Sequence, residues 1–109
     1  MRNVRVEDIR FDENGLIPCI VQNDYSGKVL MLGYMNREAV ESTLRSELVT
    51  FFSRSRSKIW VKGETSGNSL QLRSLSMDCD SDALLARVSP QGSTCHTGAE
   101  SCFEKSGED

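Results

Sequence analysis

The chain has 109 residues, about one domain by size, and its 13 Lys and Arg against 16 Asp and Glu leave a net charge of −3. That balance excludes bulk electrostatic binding to nucleic acid or to an anionic membrane surface. Hydrophobic residues at 38% and charged residues at 27% exclude wholesale disorder, and no run approaches the roughly 20 apolar residues of a membrane span.

Residues 1–8 are charged throughout and lack the apolar core of a signal peptide, so the expected compartment is the cytoplasm. Disulfides are rare there, and the four cysteines therefore read first as free thiols or metal thiolates. Residues 16–21 form an apolar run whose Pro18 suits an edge strand or a strand start, because proline brings no N–H to a ladder. A turn-rich stretch over 23–28 follows, then an apolar run over 29–34 that reads as a buried strand, so the two runs predict a β-hairpin. Asn36 is a good N-cap, and Met35 and Val40 stand at the spacing of a hydrophobic staple. Val40, Leu44 and Leu48 then make one apolar stripe on a helix over 37–47. Residues 49–52 and 59–61 have β character and flank a polar, basic stretch; 63–68 is a loop by composition. Leu70, Leu72 and Leu75 predict a strand reaching toward Met77, with a bulge where the spacing slips from two to three. A last strand over 83–88 precedes a loop over 92–102 rich in Gly, Ser and Thr. The expected architecture is a small α+β domain over 1–109, mainly antiparallel β with one principal helix, with its core over about 16–103 and frayed ends.

Three segments carry chemistry. Asp78, Asp80 and Asp82 alternate, so an extended backbone would set all three on one face and Cys79 on the other. Crowded carboxylates suit a hard cation such as Mg²⁺ or Ca²⁺, although a solvated acidic turn has the same composition. An EF-hand is excluded, because its sixth and twelfth positions would be Ala83 and Ser89. Cys95 and Cys102 lie seven positions apart around Gly98; with Cys79 they make three thiols, the number that leaves a zinc ion one open position. Three buried small hydrophobes would read the same way, and Cys19, inside an apolar strand, is assigned to that class. His96, the one histidine, is placed beside Cys95 as a proton carrier or an extra ligand. Arg54, Arg56, Lys58 and Lys62 are a basic cluster interrupted by Trp60, a pattern suited to a phosphate with an indole beside it, or simply to a solvated face. Neither a P-loop nor a G-x-G-x-x-G follows any predicted strand.

Taken together, Phe52-Ser53-Arg54-Ser55-Arg56, Trp60-x-Lys62-Gly63-Glu64-Thr65-Ser66-Gly67-Asn68, Asp78-Cys79-Asp80-x-Asp82 and Cys95-His96-Thr97-Gly98 with Ser101-Cys102-Phe103 resemble phosphoribosyl-AMP cyclohydrolase. Residues 29–36 match as well, and the resemblance runs in order from about Leu16 to Phe103. It implies a homodimeric, metal-dependent hydrolase of histidine biosynthesis that opens the adenine ring of 1-(5-phosphoribosyl)-AMP between N1 and C6. It also implies zinc on Cys79, Cys95 and Cys102, shared between two subunits, and Mg²⁺ on Asp78, Asp80 and Asp82. His96 is expected to move protons to or from the metal-bound water or N1, and Arg54, Arg56, Trp60, Lys62, Glu64, Thr65 and Ser66 are the expected substrate contacts, with the phosphates near Arg54, Arg56 or Lys62. Some members carry a fused pyrophosphohydrolase; an end at Asp109 implies the monofunctional form. Cys19 stands where the family favours a small residue such as Ala, in keeping with its place outside the metal set.

The chemistry agrees with these residues, since zinc lowers the pKa of water toward about 7 and can supply hydroxide to C6. A zinc nucleobase deaminase would need H-x-E and P-C-x-x-C, and the chain has neither. The remaining alternative is a non-catalytic, zinc-stabilised module that binds a phosphorylated ligand through Trp60 and the basic cluster. There a fourth protein ligand would close the metal, and chelation would unfold the chain rather than silence it.

Overall fold

Ile17, Cys19 and Val21 are fully buried while Ile20 between them is 36% exposed, the alternation of a strand with one covered face. They belong to β1 (Ile17–Asn23) in a computed structural model that describes residues 4–95 and 97–103. The other elements are β2 (Val29–Met35), α1 (Arg37–Ser46), β3 (Thr50–Ser53), β4 (Lys58–Val61), β5 (Leu70–Met77) and β6 (Leu84–Pro90), after a single 3₁₀ turn over Val6–Asp8. Strands outnumber helices as expected for an α+β chain, and no helix among the described residues is long and apolar enough to cross a membrane.

The main sheet runs β2-β1-β6-β5. β1 and β2 form the predicted antiparallel hairpin, whose turn is held by the Asn23 side chain accepting from the Tyr25 and Ser26 N–H groups at 2.8 and 3.2 Å. β1 is an interior strand, however, not an edge, because β6 pairs with its other side in parallel. Pro18 is tolerated since that parallel ladder begins one residue later, at Cys19 opposite Leu84. The edge is β2 instead. Of that strand only Leu30 and Met35 are fully buried, whereas Val29 and Leu32 are 41% and 42% exposed, so the expected buried strand is buried on one face only. β5 and β6 pair antiparallel, with the register shift between Leu72 and Ser74 where the leucine spacing slips.

α1 begins where the sequence places it, with the Asn36 side chain accepting from the Ala39 N–H at 2.8 Å and the staple residues Met35 and Val40 both fully buried. Its last turn closes through Glu47 in the left-handed region at φ 66. The buried Thr43 hydroxyl takes the Thr50 N–H at 2.9 Å and joins the helix to β3. β3 and β4 form a separate antiparallel hairpin that lays Phe51 against Trp60, with ring centroids 5.5 Å apart, and Phe51 also rests on Gly33 of β2. The core takes in Val4 and Ile9 as well, upstream of residue 16.

Candidate active site

Two loops make the principal cleft. The first runs from the end of β4 over residues 62–68, and the second follows β6 over 91–98. The first loop folds tightly on itself, since a Cβ on Gly63 would overlap the backbone of Asn68 and Ser69, and the second presses against it, since one on Gly92 would overlap the Asn68 side chain. The Gln91 N–H donates to the Ser69 carbonyl at 2.9 Å, and Lys62 Nζ donates to the Thr94 carbonyl at 2.7 Å. Glu64 bonds back onto its own loop, its Oε1 accepting from the Val61 N–H at 3.0 Å. Between the loops lies a cleft of about 500 Å³.

Arg56, Trp60, Lys62, Glu64, Thr65 and Ser66 all line this cleft, together with Cys95. Arg54 does not; its guanidinium stacks over the Tyr34 ring of β2, 5.0 Å from the centroid. Asn68, the last residue of the motif over 60–68, lines the cleft too, as do Ser93 and Thr94, which no motif singles out. Their only signal was proximity to motif residues, since Ser and Thr are ordinary loop formers. His96 lies outside the described residues.

Cys95 and Cys102 are brought together by a loop that bonds to itself. The Thr94 N–H donates to the Glu100 carbonyl at 3.3 Å, the Cys95 N–H to Ala99 at 3.1 Å, and the Gly98 N–H back to Cys95 at 3.0 Å. Thr97 Oγ1 donates to the Cys95 sulfur at 3.2 Å. Partial burial, then the hydrogen bond and charge of Cys95, push the Cys102 thiol up, while Lys62 nearby pulls it down. Two sulfurs in contact match the spacing of two thiolates on one zinc ion, where each Zn–S bond is about 2.3 Å.

Cys79 is not with them. It sits in the β5–β6 turn at one edge of the sheet, whereas the Cys102 N–H donates to Leu30 at the start of β2, the opposite edge. The register places Leu32 level with Ile20, Leu85 and Ser76, so Cys79 and Leu30 also lie toward opposite ends of the strands. Three strand spacings across and some five residues along separate them by on the order of 20 Å. One ion cannot reach all three thiols of a single chain.

Asp78, Asp80 and Asp82 do converge: one carboxylate oxygen from each lies within 4.8 Å of the others, the only group of three such ligands among the described residues. They do so in the acidic turn that the composition allows, not on one face of an extended strand, with Ser81 at φ 63 and the Ser81 N–H donating to the Asp78 carbonyl at 3.0 Å. The Asp82 N–H donates to Asp78 Oδ1 at 3.0 Å. Desolvation pushes the Asp78 carboxyl up, but the hydrogen bonds it receives, that from the Asp82 N–H foremost, prevail and hold it below its ordinary value. Its hydrogen bond to the Asp78 carboxyl, then desolvation and the charges of Asp78 and Asp80, push Asp82 up. That conflict is what a divalent cation relieves, and oxygens this close fit metal–oxygen bonds of about 2.0–2.6 Å.

Residues 31–104 match the family model for phosphoribosyl-AMP cyclohydrolase. The chain is 53% identical over 95 residues to the histidine biosynthesis bifunctional protein HisIE of Photobacterium profundum, covering 87% of this chain and 46% of that protein. It is 52% identical over 103 residues to the HisIE of Caldanaerobacter subterraneus subsp. tengcongensis, covering 94% of this chain and 50% of that one. It is also 47% identical over 104 residues to the phosphoribosyl-AMP cyclohydrolase of Chlorobium limicola, covering 95% of this chain and 76% of that one. The chain thus spans about half the length of the bifunctional relatives it matches. On these matches the chain belongs to the phosphoribosyl-AMP cyclohydrolase family.

Proposed function

We propose that the chain hydrolyses the N1–C6 bond of the adenine ring in 1-(5-phosphoribosyl)-AMP, giving the phosphoribosyl-formimino aminoimidazole carboxamide ribotide of histidine biosynthesis. The observation that carries this reading is the cleft in which Cys95 faces the same space as Lys62, Arg56 and Trp60. A flat base, a phosphate and a metal-binding thiol are thereby accommodated together. Trp60 offers an indole face to the base, and Arg56 offers a fork of donors to a phosphate. Lys62, already committed to the Thr94 carbonyl, holds the two loops in register and keeps the cleft positive.

Zinc on Cys79, Cys95 and Cys102 would supply hydroxide at neutral pH by lowering the pKa of water. His96, next in sequence to Cys95, is assigned to deliver a proton to N1 as that nitrogen leaves C6. Mg²⁺ is assigned to Asp78, Asp80 and Asp82.

The split of the thiols supports a homodimer with shared sites. Pro18, Ile20, Leu32 and Leu85 lie on the uncovered face of the sheet, an apolar surface continuous from β2 to β6. Face-to-face contact about a two-fold axis running along one sheet diagonal would superpose the two ends of the other diagonal. Each Cys79 would then meet the partner's Cys95 and Cys102, twice per dimer.

The test is turnover of phosphoribosyl-AMP, followed by ultraviolet absorbance, on protein of measured zinc content, repeated after zinc removal and return. Activity that disappears and comes back with zinc supports the reading. A zinc-loaded dimer that shows no turnover with Mg²⁺ present overturns it.

A further inference from the structure

Ser101 is 1% exposed, yet its hydroxyl is fully engaged, and with residues more than 70 positions away. Oγ lies 2.7 Å from the Val29 carbonyl and 3.2 Å from the Leu30 carbonyl, so its one proton is shared between them. It accepts in turn from the Phe103 N–H at 2.9 Å. Between these two bonds stands Cys102, whose own N–H donates to the Leu30 carbonyl at 2.7 Å. Cys102 is therefore held to the first residues of β2 by its own N–H and by the Ser101 hydroxyl before it, while the Phe103 N–H closes onto that same hydroxyl.

The other attachments of this loop are weaker. The Lys28–Glu100 ion pair, at 3.5 Å, joins side chains about half exposed, where such pairs contribute little. The bonds of Thr94, Cys95 and Gly98 are internal to the loop and do not anchor it. Lys62 holds the far end, at Thr94. Cys102 itself is exposed and gains no placement from packing.

We infer that Ser101 is a positioning residue: its hydroxyl latches the end of the thiol loop to β2 and holds Cys102 at the separation from Cys95 that a metal ion requires. The inference rests on the proposed zinc set. Groups that orient metal ligands without touching the metal typically change affinity by 10–100-fold when removed.

The experiment uses the full chain and three variants, Ser101→Ala, Thr43→Val and Cys102→Ala. Zinc affinity is measured by competition with a chromogenic chelator, and the alkylation rate of Cys102 in zinc-free protein by peptide mass spectrometry. Thr43→Val removes a hydroxyl equally buried and bonded, but between α1 and β3. Ser101→Ala is expected to weaken zinc binding about 10–100-fold and to speed alkylation of Cys102 several-fold, while Thr43→Val leaves both within about twofold. Should Ser101→Ala retain wild-type zinc affinity while Cys102→Ala loses it, the latch is wrong and the zinc set stands. Equal losses in Ser101→Ala and Thr43→Val would reduce the latch to general stability and overturn it. Cys102→Ala that binds zinc like the wild type would remove the zinc set, and the latch with it. If Ser101→Ala does not fold, Ser101→Thr, which keeps the hydroxyl, must bind zinc within a few-fold of wild type for the inference to survive.

Discussion

Mixing two inactive variants tests the division of the thiols between chains most directly. Cys79→Ala removes the ligand in the β5–β6 turn, and Cys95→Ala removes one from the loop that docks on β2. Within one chain those positions are on the order of 20 Å apart, far beyond the roughly 4 Å between two thiolates on one zinc ion. Each variant alone should therefore be inactive at both sites of its homodimer. After subunit exchange at equal concentrations about half the dimers are mixed, and in each of these one site has both its Cys79 and its Cys95 intact. The expected activity is about a quarter of wild type, and the zinc content should recover in the same proportion. Activity by ultraviolet absorbance, zinc by metal analysis and dimer composition by native mass spectrometry are read on one sample. Mixed dimers that carry no activity would refute the shared site, and so would full activity in either variant alone.

Removing one of the three convergent carboxylates by Asp80→Asn should weaken the apparent Mg²⁺ dependence about tenfold or more while leaving zinc content unchanged, as a Mg²⁺ titration of turnover will show. Arg56→Ala should raise KM about 10–100-fold through loss of a charge-assisted hydrogen bond, whereas Arg54→Ala, outside the cleft, should leave KM within about twofold; steady-state kinetics separates the two. Burial pushes the Cys19 thiol up from 9.0 to about 12, a backbone hydrogen bond from Ala86 opposing it. The folded chain thus holds this proton more tightly than the unfolded one, so the contribution is complete below pH 9 and is lost as pH rises toward 12, about 4 kcal/mol at most. Denaturant midpoints measured from pH 8 to 10.5 should fall less steeply for Cys19→Ala than for wild type.

Much of the fold is local and was legible for that reason. The Asn36 cap, the Met35–Val40 staple and the bulge in β5 depend on residues within a few positions of each other, and each stands where the sequence places it. What the sequence could not convey is which strand lies beside which. Pro18 suits an edge strand or a strand start because a proline removes a donor; the structure takes the second option, with Pro18 near the start of an interior strand and β6 pairing just past it. The apolar content of β2 does mislead. A run of apolar residues reports a wish to be covered on both faces, and within one chain β2 is covered on one.

The site divides along the same line. Arg56 and residues 60–66 line one cleft because a single hairpin and its following loop carry them, so their nearness in sequence survives as nearness in space. The three carboxylates converge as well, through a turn that brings the Asp82 N–H onto the Asp78 carboxylate; composition allows that turn as readily as an extended strand, and only the backbone decides between them. Cys79, Cys95 and Cys102 are the reverse case. Their count and chemistry suit one metal ion, yet the parallel pairing of β1 with β6 sends the β5–β6 turn to one corner of the sheet and the docking of Ser101 and Cys102 on β2 sends the other thiols to the opposite corner. Motif order along a chain carries no information about that diagonal. Because the diagonal is longer than any metal site, the proposed zinc chemistry and the pairing of two chains stand or fall together, and a variant that weakens the exposed apolar face at Ile20 or Leu32 should lose zinc and dimer in step, even though neither residue offers a metal ligand.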